Sequence, residues 1–235
     1  MSEKGGCKMA LSIRFITDYV CPYCVAAKKP LLEAIEEIKA TSHEEIEILW
    51  HPMELTEEPA PRIDTYHDEE RKQRWAKTLV PICKELGIEM KLPPHVIPRP
   101  YTRLAWEGFY FAKEHGAGDA YSNRLYEAYF MDELDIGDPN VLISLAKELG
   151  LDTHQFEQAL VNGIYTATVK ENVRHAKETL KVTSVPTIYI GEQKIDGAIY
   201  SKEEFKKLIL KALEENKEEV LEDIHGMCCG IDGCH

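Results

Sequence analysis

Two cysteines separated by two residues, in Cys21-Pro22-Tyr23-Cys24, are the side chains best suited to covalent chemistry in this sequence. The thiolate is the form of cysteine that attacks a disulfide. Pro22 predicts a helix that begins beside Cys21, where unpaired backbone amides and the positive end of the helix dipole favour the thiolate. Cys24, one helical turn further, is predicted to be more buried and close enough to resolve a mixed disulfide. The spacing therefore predicts disulfide exchange in which Cys21 attacks and Cys24 releases the product.

Two other interpretations of this cysteine pair stay open. A zinc knuckle has the same spacing, but a zinc site usually needs a second pair of ligands. Two buried cysteines that only pack as small apolar residues are the other alternative. The predicted position at a strand-to-helix junction, rather than in a turn, favours the redox interpretation.

A second candidate element of the site is Val185-Pro186-Thr187, immediately before a predicted strand. Proline at the edge of a strand is a candidate for the cis peptide bond. A cis Val185–Pro186 bond would offer the backbone of Val185 to an extended substrate beside Cys21. The alternative is a trans proline that only starts a strand.

Periodicity predicts the elements that position these residues. Residues 11–20 alternate as a strand, a helix begins at Pro22, and a second strand covers residues 46–50, which is typical of a parallel βαβ unit. Apolar residues recur at helical spacing from about residue 65 to 180, and strands return at 187–190 and 194–195 before a last helix. The predicted fold class is therefore α/β, with a large all-helical insertion between a βαβ half and a ββα half. The predicted boundaries are 10–64 and 182–216 for the α/β domain, 65–181 for the insertion and 217–235 for a cysteine-rich tail.

The carboxy-terminal tail contains three cysteines and two histidines in its last eleven residues. Glycines between Cys229 and Cys234 allow a small disulfide loop, which makes these two a candidate second redox pair that relays electrons to Cys21 and Cys24. The competing interpretation is a zinc or Cu(I) site, for which soft ligands are available; these candidate ligands are Cys228, Cys229, Cys234 and His235. A tail without chemistry is the third alternative.

Charge and hydropathy exclude several classes of function. The formal net charge of −13 argues against nucleic-acid binding and against an anionic membrane surface. No signal peptide or transmembrane helix is visible, so we expect a cytoplasmic protein, where thiols are kept mostly reduced. No cofactor-binding motif is visible either, so the cysteines themselves would carry the redox chemistry.

Three segments resemble the DsbA family of the thioredoxin superfamily, and in particular its FrnE-like branch. They are Thr17-Asp18-Tyr19-Val20-Cys21-Pro22-Tyr23-Cys24, Tyr126-Glu127-Ala128-Tyr129-Phe130 and Thr183-Ser184-Val185-Pro186-Thr187. The resemblance implies a thioredoxin fold with a helical insertion, Cys21 as nucleophile, Cys24 as resolving cysteine and Pro186 as a cis-proline, with Pro22, Tyr23 and Val185 supporting the site. It also implies a second pair in the tail, because FrnE-like proteins can carry a Cys-x4-Cys pair there. Tyr23 stands where that branch commonly has tryptophan, which leaves the direction of electron flow open.

The function predicted is thus a thiol–disulfide oxidoreductase of the DsbA type. Its substrates would be protein or small-molecule thiols and disulfides, with a cellular thiol reductant as partner. One alternative is a kappa-type glutathione-dependent isomerase or transferase, which usually has serine at the reactive position and no second cysteine. The other is a metal-binding protein that uses both cysteine clusters.

Three further residues are interpreted without a chemical role. Cys83 lies on an apolar helical stripe and is predicted to be a buried thiol that acts as a small hydrophobic residue. His51 and Glu54 end the second strand, where solvation at the surface is favoured over proton transfer to Cys24.

Overall fold

The computed structural model describes residues 10–195 and 198–228, with side chains as far as residue 216. Strands are β1 (Leu11–Thr17), β2 (Ile46–Pro52), β3 (Thr187–Ile190) and β4 (Gln193–Ile195). Helices are α1 (Pro22–Thr41), α2 (Glu69–Thr78), α3 (Val80–Leu86), α4 (Arg103–Glu114), α5 (Gly118–Phe130), α6 (Pro139–Glu148), α7 (Thr153–Val161), α8 (Thr166–Arg174) and α9 (Lys202–Cys228). A short π-helical turn, His175–Thr179, continues α8.

The described strands form one mixed sheet in the order β2-β1-β3-β4. The β1–β2 pair is parallel, as a βαβ unit requires, and the β1–β3 and β3–β4 pairs are antiparallel. Alternate residues Leu11, Ile13 and Phe15 of β1 are fully buried, whereas Ser12 and Arg14 between them are partly exposed, so one face of this end of the strand packs against the core. The predicted order of βαβ, helices and ββα is confirmed.

Between β2 and β3, residues 69–179 contain no strand and are predominantly helical. Their core is rich in aromatic side chains that pack edge to face or tilted, including Trp106, Phe109, Tyr121 and Phe156. Gly108 of α4 allows a close approach, since a Cβ atom there would lie 2.8 Å from Phe156 and from the Tyr121 hydroxyl. The segment 92–100 has neither helix nor strand, as its prolines predict.

Helix α9 packs against α1 along an apolar stripe formed by Phe205, Ile209 and Leu213. Its backbone stays helical as far as Cys228, so residues 217–228 of the predicted tail are helical. Among the helices of residues 10–195 and 198–228, none combines the length and the apolar character needed to cross a membrane.

Candidate active site

Cys21 lies at the junction of β1 and α1, where the chain turns from the carboxyl end of the strand into the helix. It is the N-cap residue of α1 in an extended conformation, and Pro22 follows at the first helical position. The amide of Cys21 donates to the carbonyl of Asp18 at 3.0 Å, and the amide of Cys24 donates to the carbonyl of Cys21 at 3.1 Å. The sulfur of Cys21 is therefore held at the amino-terminal end of α1, where orphan backbone amides concentrate positive potential.

The two cysteines are free thiols in different degrees of burial. Cys21 is 4% exposed, whereas Cys24 has no exposed surface. The Cys21 thiol donates to the backbone carbonyl of Val185 at 3.5 Å. Of the pair, Cys21 is thus the residue that keeps some exposed surface.

Ionisation of Cys24 is disfavoured by its surroundings. Burial raises the pKa of the Cys24 thiol well above its usual range, and the adjacent Cys21 sulfur raises it further. Hydrogen bonds from the Thr17 hydroxyl and from the Asp18 backbone act in the opposite direction. Cys24 is therefore more difficult to ionise than an exposed cysteine.

The Val185–Pro186 peptide bond is cis, and it borders a cavity of about 440 Å³ beside the cysteines. Tyr23 from α1, together with Lys194 and Tyr200, also lines this cavity. Three of the residues named from the sequence, Tyr23, Val185 and Pro186, are therefore brought together next to Cys21. Among the described residues that line the cavity, Lys194 carries the positive charge.

A cluster of buried charged groups near the cysteines was not anticipated from the sequence. Asp18 is fully buried and accepts a hydrogen bond from the amide of Leu55 at 2.7 Å. Burial raises the pKa of Asp18, while the nearby Arg99 guanidinium and hydrogen bonds act to lower it. Arg99, also buried, donates to Thr56 at 2.7 Å. Through these hydrogen bonds, the loop after β2 that contains Leu55 and Thr56 is connected to the β1–α1 turn and to the segment around Arg99.

Glu54 belongs to the same cluster, and the prediction that it is solvated is wrong. It is only 5% exposed. Burial, followed by the negative charges of Asp18 and Glu57, raises its pKa to about 7. His51 is half-buried, and burial lowers its pKa. The signal that could have identified Glu54 is its position just after a buried strand end, near the turn that carries Cys21.

Cys83 is 5% exposed and packs against Trp75 and Leu79, which confirms the prediction of a buried apolar thiol. Of the tail residues, Cys229, Cys234 and His235 lie outside the described residues, and Cys228 is described only as the last helical residue of α9. Within the part of the chain that the structure describes, no three His, Cys, Asp or Glu side chains are arranged to hold a metal ion.

Comparison with known proteins places the chain among relatives of similar size. The sequence profile of the DSBA-like thioredoxin domain matches residues 12–208. The uncharacterized protein YwbO of Bacillus subtilis (strain 168) is 38% identical over 201 residues, which are 86% of this chain and 96% of YwbO.

The fold is shared with solved structures, among them the following two. A probable DsbA oxidoreductase from Streptomyces coelicolor superposes with a TM-score of 0.73 at 22% identity, covering 87% of this chain and 91% of its own. The cytosolic disulfide reductase DsbM from Pseudomonas aeruginosa gives a TM-score of 0.65 at 17% identity, covering 87% of this chain and 99% of its own. DsbM has also been solved with GSH.

Proposed function

This chain belongs to the DSBA-like thioredoxin domain family, and from that membership we propose that it is a thiol–disulfide oxidoreductase acting through Cys21 and Cys24. The observation that supports the proposal best is the asymmetry of the pair. The Cys21 sulfur lies at the amino terminus of α1 and contacts the backbone carbonyl of Val185. The Cys24 sulfur is fully buried one helical turn further along α1.

The proposed reaction has two exchange steps. The Cys21 thiolate attacks one sulfur of the substrate disulfide, forms a Cys21–substrate disulfide and expels the other substrate sulfur, which takes up a proton. Cys24 then loses its proton and attacks the Cys21 sulfur, which forms the Cys21–Cys24 disulfide and releases the second substrate thiol. The substrate is reduced by two electrons and the protein is oxidised by two. The same steps run in reverse when the protein donates a disulfide.

The surroundings of Cys21 support two kinds of substrate. The carbonyl of Val185 offers a backbone partner to an extended protein segment, as in strand addition. The adjacent cavity, with Lys194 in its wall, has room for a small thiol compound that carries a carboxylate. Since DsbM has been solved with GSH, we propose glutathione as the small thiol to test and as a cellular reductant of the pair. A cytoplasmic location is part of the same proposal.

Assignment to the FrnE-like branch, with Cys229 and Cys234 as a second redox pair, is proposed from the sequence. A variant truncated after residue 216 tests the relay. If turnover with a protein disulfide is unchanged by the truncation, the relay is excluded. If the full-length protein retains zinc or copper through gel filtration and the truncated protein does not, the tail forms a metal site instead of a redox relay. The ligands of that site would be Cys228, Cys229, Cys234 and His235.

Equilibration in glutathione buffers tests the proposed function itself. Wild-type protein and a Cys21→Ser variant are alkylated at each buffer ratio, and the thiol state is read by mass. The proposal expects a transition of Cys21 and Cys24 between dithiol and disulfide in the wild type and none in the variant. Cysteines that become reactive only after a chelator is added would support the metal-binding alternative instead. Isomerase activity that needs glutathione but survives loss of Cys24 would support the kappa-type alternative.

A further inference from the structure

Lys28 is a buried cation on the same helix as the cysteine pair. It lies four residues after Cys24 on α1, a spacing that places two side chains on one face of a helix. The residue is only 9% exposed, which is unusual for lysine. A buried ammonium group is costly unless its surroundings compensate it, so its partners indicate why it is there.

Most of the described partners of Lys28 come from α5, and the ring of Trp50 on β2 lies 6.0 Å from its ammonium. The Lys28 ammonium donates to the amide oxygen of Asn123 at 2.7 Å and lies 4.4 Å from the ring centroid of Tyr126. Burial lowers the pKa of Lys28 to about 8, while negative charges on Glu127 and Asp119 act to raise it. Asp119, Asn123 and Glu127 recur every four residues, so one face of α5 surrounds the cation.

Tyr126, the ring partner of Lys28, is also linked to Cys24. The Tyr126 hydroxyl forms a buried 2.5 Å hydrogen bond with the Thr17 hydroxyl. The Thr17 hydroxyl acts to lower the pKa of the Cys24 thiol, and a negative charge on Cys24 acts to raise the pKa of Lys28. Lys28 is thus connected through the Tyr126 ring to Thr17, the residue that acts on the Cys24 thiol.

We propose that Lys28 is a positioning residue for the second half of the exchange reaction, where its ammonium stabilises the Cys24 thiolate that attacks the Cys21–substrate disulfide. The inference rests on the proposed function. In that step Cys24 releases a proton to solvent, its sulfur bonds to the sulfur of Cys21, and the substrate sulfur leaves as a thiolate that is then protonated. Lys28 neither gains nor loses a bond; it lowers the cost of placing a negative charge on a buried sulfur.

A purely structural lysine makes different predictions. If Lys28 only joins α1 to α5 through Asn123, its replacement changes stability but leaves the ionisation of Cys24 and the exchange rates unchanged. Lys28→Met is a suitable variant because methionine has a similar length and fits an apolar site. Lys29→Met is the matched control, since Lys29 is half-exposed and pairs with Glu33 at 2.6 Å on the same helix.

The first measurement is the rate of resolution. Reduced protein is mixed with an aromatic disulfide, and the unimolecular release of the second aromatic thiol reports the attack of Cys24 on the Cys21 mixed disulfide. We expect Lys28→Met to slow this phase about tenfold at pH 7 and Lys29→Met to leave it unchanged. The ratio of the wild-type rate to the Lys28→Met rate should fall towards one above pH 8, where Lys28 loses its charge. Equal rates across this pH range would overturn the inference.

A second measurement keeps the inference independent of turnover. In a Cys21→Ser background, the rate at which Cys24 reacts with a small neutral alkylating reagent is measured at pH 7, where Lys28 is still charged, and the modified cysteine is identified by mass. We expect Lys28→Met to lower this rate about tenfold and Lys29→Met to leave it unchanged, because the rate follows the thiolate fraction of Cys24. Equal rates overturn the role of Lys28. A wild-type protein that shows no resolution phase, together with the lowered alkylation rate, refutes the proposed function while the electrostatic role of Lys28 stands.

Discussion

The thiol of Cys21 donates a hydrogen bond to the backbone carbonyl of Val185 at 3.5 Å, although 164 positions separate the two residues in the chain. The whole helical region lies between them, so both halves of the α/β domain must be assembled before Cys21 meets this carbonyl. Reactivity of Cys21 towards an extended substrate therefore depends on the tertiary fold. A local helix that carries only the Cys21-Pro22-Tyr23-Cys24 motif lacks this partner.

The hydrogen bond between Thr17 and Tyr126 should contribute to stability, because both hydroxyl groups are buried. Tyr126→Phe and Thr17→Val each leave the other hydroxyl without its partner, and we expect each to lower the free energy of unfolding by about 1–3 kcal/mol. The double variant should cost less than the sum of the two, with a coupling of about 0.5–3 kcal/mol. Urea unfolding of the four proteins measures the coupling, and additive effects would exclude a direct interaction.

Asp18 should stabilise the loop after β2 through its hydrogen bond with the amide of Leu55. We expect Asp18→Ala to lower the free energy of unfolding by about 1–3 kcal/mol because an amide donor loses its partner. Asp18→Asn keeps an acceptor oxygen at this position, so it should cost less than Asp18→Ala. Chemical denaturation of both variants provides the comparison; equal losses would mean that the charge of Asp18, and not its acceptor, is what stabilises the loop.

Glu54 should make stability depend on pH in a particular direction. Its pKa in the folded protein is raised from 4.5 to about 7, so the folded state holds a proton that the unfolded chain has already released in this range. The contribution of Glu54 to the free energy of unfolding therefore falls as the pH rises from about 4.5 to about 7. Glu54→Gln should remove this fall and stabilise the protein at pH 8 by about 1–3 kcal/mol.

Thermal and urea unfolding between pH 5 and pH 8 test the Glu54 prediction. Glu85→Gln, at an exposed position on α3, serves as the control and should follow the wild-type pH dependence. If Glu54→Gln retains the full pH dependence of the wild type, Glu54 does not titrate in this range and the assignment is wrong.

The sequence predicts the strand-to-helix junction at Cys21 because proline is pre-organised for the first helical position and the spacing of the cysteines matches one helical turn. It predicts the order of strands and helices because periodicity reports which faces are buried. The same information places Lys28 on the face of Cys24. It does not predict that Asn123 and Tyr126 of α5 pack there, since that depends on how two distant helices meet.

The buried cluster around Asp18 escapes prediction for a related reason. Arg99 and Glu54 lie in irregular segments, where no periodicity indicates which side chains turn inward. Charged residues in loops are usually solvated, so the burial of Arg99 becomes visible only in the tertiary structure. For Glu54 the sequence holds one signal, its position just after a buried strand end. Glu54 illustrates the error directly, because its residue type favours the surface and its surroundings do not.

The most direct test of the account is the site of a trapped mixed disulfide. A Cys24→Ser variant is treated with oxidised glutathione, digested without reduction and mapped by mass, with Cys83→Ser as a control that keeps both motif cysteines. The account predicts a stable glutathione adduct on Cys21 in Cys24→Ser, whereas Cys83→Ser forms an internal Cys21–Cys24 disulfide. An adduct on another cysteine with Cys21 unmodified, or no adduct at all, would contradict the assignment of Cys21 as nucleophile and Cys24 as its resolving partner.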